Sequence, residues 1–172
     1  MNKAILAGGA LIATAAAVSA QGTFYASTAT GDKPRIMMDG VNVQAADNVW
    51  VQILVNRAAT IDPFPMRFNG ANAGLFSKGI IVVPGVPGGK TVDITVRAWD
   101  KDTGYDFANA TVKTFATLKD FVLGGVVDAN GITGLPTSIV PAFTGLSFAT
   151  PEPGAYALAA LGLGGLLFVR RK

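Results

Sequence analysis

Uncharged apolar runs lie near both ends of this chain, Ala4 to Ala17 and Ala155 to Val169, and they confine a water-soluble fold to the residues between them. About 130 residues are left, enough to bury one hydrophobic core, so a single domain over residues 21–150 is expected. Setting the ends apart also changes what charge implies. The net charge of +3 comes from Lys3, Arg170, Arg171 and Lys172 against Glu152. Between Gln21 and Thr150 six Lys and four Arg balance ten Asp, so the pI near 9.3 belongs to the ends and is no argument for a nucleic-acid partner.

The chain has neither cysteine nor histidine. A disulfide framework, imidazole-ligated zinc and histidine-assisted nucleophiles are therefore excluded, and the fold must rest on an ordinary core. Glutamate occurs only at Glu152, so an aspartate-dependent glycosidase would need two of the ten body aspartates converging in one cleft. No cofactor is implied.

The body reads as short strands separated by Gly, Pro, Asn and Asp. Thr23–Ser27, Asn48–Val55 and Ile80–Val83 are rich in branched and aromatic residues, and the last is a continuous apolar run that predicts a buried strand. Thr91 to Trp99 alternates cleanly. Val92, Ile94, Val96 and Ala98 share one face, and Thr91, Asp93, Thr95, Arg97 and Trp99 the other. Val112–Ala116, Phe121–Val127 and Phe143–Phe148 are further strand candidates, and Tyr105–Ala110 has room for one helical turn. The pattern predicts an all-β domain, an antiparallel β-sandwich.

Several motifs invite sharper chemistry. Gly85-Val86-Pro87-Gly88-Gly89-Lys90-Thr91 resembles a phosphate-binding loop, but the glycine spacing is one residue short and a strand follows where that loop needs a helix. A strand-connecting loop explains it fully. Asp100, Asp102 and Asp106 form a weak calcium candidate, in a segment that lacks the glycine and glutamate positions of an EF-hand. The plainer expectation is a solvated turn in which Asp100 pairs with Arg97 or caps the Tyr105 turn. Asn109-Ala110-Thr111 is a formal glycosylation acceptor. Trp50 and Trp99 would serve as a sugar-stacking platform if exposed, although their places on strong strands favour the core, and Phe64, between two prolines, is expected in a loop.

The ends carry the most specific signals. Lys3, the run Ala4–Ala17 and the small residues Val18-Ser19-Ala20 form a signal peptide over residues 1–20, to be cut by signal peptidase between Ala20 and Gln21. At the other end Pro151, Glu152 and Pro153 precede the apolar run, which closes on Arg170, Arg171 and Lys172. Fifteen residues of helix span about 22 Å against a hydrocarbon core of about 30 Å, a short transmembrane helix whose basic end stays cytoplasmic. Each proline forces its predecessor toward extended geometry, so the segment suits entry into a protease as a strand.

These three parts in this order, over residues 151–172, resemble the PEP-CTERM sorting signal of Gram-negative bacteria. That resemblance implies export through the inner membrane, brief anchoring there, recognition by the intramembrane protease exosortase and release to the cell surface or extracellular matrix. Within the body, Pro84–Gly89, Val96-Arg97-Ala98-Trp99-Asp100 and Gly104–Ala108 look like pieces repeated in uncharacterised exported proteins of this class, for which no activity is implied. The expectation is a structural or adhesive protein without catalysis of its own. The alternative is a binding module for matrix exopolysaccharide.

Overall fold

The computed structural model describes residues 21–29, 33–59, 61–128, 131–140 and 142–150. The expected signal peptide and the expected C-terminal helix lie outside them. No described helix is long and apolar enough to cross a membrane. What is described is all-β: strands joined by turns and three short 3₁₀ turns.

The first strand, β1 (Gln21–Ser27), is the hub of one sheet. Six short elements follow: β2 (Ile36–Met38), β3 (Val41–Asn42), β4 (Val49–Val55), β5 (Ala58–Ala59), β6 (Phe64–Pro65) and β7 (Ser77–Val83). Then come β8 (Thr91–Asp100), β9 (Lys113–Val122), β10 (Gly124–Asp128), β11 (Gly131–Thr133), β12 (Thr137–Ser138) and β13 (Leu146–Phe148). Strand β7 runs antiparallel along β1 from Gly22↔Val83 to Ser27↔Ser77, while β10 and β12 pair with it elsewhere and β11 folds back on β10. A second sheet orders β5-β4-β8-β9, with β6 also pairing with β4, and a small third orders β13-β2-β3. Two pairings, β1 with β12 and β13 with β2, are parallel and depart from the wholly antiparallel expectation.

The alternation of β8 places Val92, Ile94, Val96 and Ala98 in the core, where they meet Val49, Val51, Ile53 and Val55 of β4. From the first sheet Phe24, Ala26, Ile81 and Val83 enter the same cluster. Phe24 and Phe121 meet edge to face with ring centroids 6.0 Å apart, linking the β1 sheet to the β8–β9 sheet. One core thus joins the two larger sheets, and apolar burial at about 25 cal/mol per Å² is its main driving force. The run Ile80–Val83 is not buried throughout. Ile81 and Val83 face the core while Ile80 is 46% exposed, so this strand covers one face only.

Two tight hairpins fix local register. Asp39 (φ 53°) and Gly40 (φ 76°) join β2 to β3, and Asn56 (φ 50°) and Arg57 (φ 69°) join β4 to β5. Positive φ at both central residues is the signature of a type I′ turn, whose twist matches that of the strands. Asn tolerates this region. Arg57 occupies a position where glycine is usual, so its side chain is held there against a backbone preference.

Candidate functional site

The outer face of the β4–β8–β9 sheet is assembled by register. Gln52 lies opposite Arg97, which lies opposite Phe115; one step on, Leu54, Thr95 and Thr117 form the next row. At one end the rows stop at Trp50, Trp99 and Lys113, at the other at Asp93 and Lys119. Strand β9 bulges beside Asp93, because its three steps from Leu118 to Phe121 answer two steps of β8, and Asp120 takes φ 51°. The extra residue lets Asp93 take both the Lys119 ammonium and the Asp120 N–H, at 3.4 Å. That Lys119 contact holds the Asp93 carboxyl below its usual pKa, against a smaller opposing effect of burial.

The segment between β8 and β9 folds over the Trp99 end. Asp100 N–H donates to Val112 O at 3.0 Å and closes its neck. The Asp100 carboxylate caps the 3₁₀ turn Lys101–Thr103 by accepting from Asp102 N–H at 2.9 Å. Of the two roles the sequence left open it takes a capping one, on this turn rather than at Tyr105, and no salt bridge to Arg97 forms among the described residues. Gly104 has no room for a side chain: a Cβ there would stand 2.4 Å from the Ala110 backbone. This folding brings Phe107 over the sheet, edge to face with Trp99 at 6.1 Å and beneath the Arg97 guanidinium at 4.8 Å. Lys113 secures it by donating to the carbonyls of Phe107 and Ala108.

Arg97 is held from two sides. Its Nε and one Nη donate to Gln52 Oε1, while the Gln52 amide donates to Ile61 O at 3.4 Å and so presents its oxygen to the guanidinium. Burial lowers the Arg97 pKa, with Asp106 acting the other way; the group remains a cation. A groove of about 390 Å³ opens over this face, lined among others by Arg57, Asp93, Thr95, Arg97, Phe115 and Lys119. Phe115 is 63% exposed.

The other candidate residues are dispersed. Asp100 caps its turn, Asp102 accepts from Asn48 Nδ2 at 2.6 Å, and Asp106 accepts from Asn109 N–H at 2.9 Å. Among the described residues no three acidic side chains converge as a metal site. Asn109 of the glycosylation acceptor also donates its side-chain amide to Asp106. Trp99 is 1% exposed, with its indole N–H unpaired among the described residues, and Trp50 is half-buried with the Lys101 ammonium 3.7 Å from its ring centre. The two do not form an open platform. Phe64 is in strand β6 rather than a loop, tilted against Phe76 at 6.0 Å. It lines a second groove, with Phe68, Arg67 and Lys78. Neither groove is lined by two carboxylates, which a paired-aspartate hydrolase would need. The Gly85–Thr91 segment links β7 to β8 across two sheets, with Gly89 N–H bonded to Leu123 O at 2.8 Å.

Ala20, Pro151, Glu152, Pro153, Arg170, Arg171 and Lys172 lie outside the described residues; Gln21 is the first residue of β1. The junction with the C-terminal segment is described up to Thr150. There Asp39 takes hold of the chain end: its N–H donates to Phe148 O at 3.0 Å, and its carboxylate accepts the N–H of Thr150 at 2.8 Å and the Thr150 hydroxyl. A family model described as the PEP-CTERM protein-sorting motif matches residues 149–172. No curated protein and no solved structure matches the chain.

Proposed function

We propose that this chain, which carries a PEP-CTERM protein-sorting motif, is an exported exosortase substrate whose body is a β-sandwich deployed at the cell surface or in the extracellular matrix, with a structural or adhesive role and no catalysis of its own. The observation that carries the proposal is the motif match over residues 149–172, which begins where the body's last strand ends. The shared core between the β1 sheet and the β4–β8–β9 sheet supports the sandwich. Cleavage by signal peptidase after Ala20 would leave Gln21, the first described residue, at the mature N-terminus with β1 intact from there on.

In this account residues 1–20 are a signal peptide, residues 21–150 the body and residues 151–172 the sorting signal. Pro151, Glu152 and Pro153 are presented to exosortase, and Arg170, Arg171 and Lys172 hold the helix end at the cytoplasmic side of the inner membrane. Fractionation of a host lacking exosortase tests it. The full chain should then accumulate with the membrane, whereas a chain ending at Thr150 should distribute identically in both hosts. Equal distribution of the full chain with and without exosortase would refute the proposal.

A further inference from the structure

We propose that the outer face of the β4–β8–β9 sheet binds an acidic polysaccharide, one sugar carboxylate pairing with Arg97 while an apolar sugar face rests on Phe115. This rests on the surface or matrix deployment proposed above, which would bring the chain to such polymers.

Charge complementarity comes first. Three cations, Arg57, Arg97 and Lys119, line the groove against one carboxylate, Asp93, which Lys119 already engages. Among the described residues no carboxylate forms a salt bridge with Arg97, on which Asp106 acts only at longer range, and its side chain is fixed by Gln52 and Phe107. A guanidinium fixed in advance loses little freedom on binding, and its free N–H groups match a carboxylate in two-point geometry.

Phe115 comes second. It stands directly opposite Arg97 in register and is mostly exposed, so core packing does not account for it. One row away the Thr95 and Thr117 hydroxyls lie 3.0 Å apart and can exchange hydrogen bonds with sugar hydroxyls. A cation, an open aromatic face and paired hydroxyls on one surface together fit a uronate-type sugar. An acidic peptide fits less well, because peptides gain affinity from backbone bonds at a sheet edge and this is a sheet face.

The full chain in detergent should be titrated with alginate and polygalacturonate, with fully methyl-esterified polygalacturonate, dextran and polyglutamate as comparisons. We expect binding to a polyuronate that weakens by about tenfold or more on esterification, which keeps the sugar and removes the charge. Arg97→Gln and Phe115→Ala should each weaken it several-fold, and Arg67→Ala, outside this groove, should leave it unchanged. Arg57→Gly should weaken binding without lowering Tm, because glycine suits that turn, and so separates lost binding from lost folding. Absence of binding to both polyuronates, equal binding of the ester, or binding of polyglutamate as tight as that of the polyuronates with Phe115→Ala unaffected would each overturn the inference. A processed chain recovered from the matrix that binds no polyuronate would sink this inference and leave the sorting proposal intact.

Discussion

The carboxylate of Asp39 holds Thr150 by both its N–H and its hydroxyl, joining residues 111 apart in sequence at the point where the sorting motif begins. The type I′ turn explains how one residue does this. At φ 53° Asp39 turns its side chain toward the end of β13, while its own N–H caps Phe148 O.

Asp39→Asn keeps a residue that tolerates the turn but weakens the charge-assisted grip on Thr150. The bonds are solvent-exposed, so the expected loss is about 1 kcal/mol, read by urea unfolding, together with faster amide exchange over residues 146–150. Unchanged exchange there would show that the β13–β2 pairing alone holds the chain end.

Gly104→Ala places a Cβ against backbone that cannot yield like a flexible side chain. The segment between β8 and β9 must shift, at a cost of roughly 1–3 kcal/mol, and Phe107 with it. The measurement is near-ultraviolet circular dichroism, where the Trp99–Phe107 packing should be perturbed alongside a lower Tm. A wild-type spectrum and Tm would contradict the packing described.

Asp93 links pH to stability. Its folded pKa is lowered, first by Lys119, so its contribution is fully present above the unfolded carboxylate pKa of about 4 and is lost as pH falls through the lower folded value. Lys119 is 64% exposed, so the contribution is small and weakens with salt. Asp93→Asn should flatten this part of the acid limb in low-salt denaturation curves and leave the neutral plateau little changed. An identical acid limb would remove Asp93 from the account.

Local period was legible in the sequence, and distant pairing was not. Alternation in Thr91–Trp99 gave the inner and outer faces of β8 because a strand repeats every two residues. The apolar run Ile80–Val83 hid the exposure of Ile80, since a run without polar residues carries no phase. The strands β2 and β3 were passed over, although Asp39-Gly40 between apolar residues is a strong hairpin signal. Of the two roles open to Asp100, pairing with Arg97 or capping a turn, the structure shows a cap, on Lys101–Thr103 rather than at Tyr105; Gln52, the partner of Arg97, is near it only through the β4–β8 register. The exposure of Phe115 had a signal in the same two-residue period, which puts it on one face with Lys113, Thr117 and Lys119, but the apolar side chain masked it.

The central claim is tested most directly by the intact mass of the protein recovered from the surface or matrix of its native host. The account predicts a species that starts at Gln21 and ends near Pro151, Glu152 and Pro153 when exosortase is present, and one that retains Lys172 when it is not. A matrix or surface species still carrying Lys172 in the presence of exosortase would contradict it.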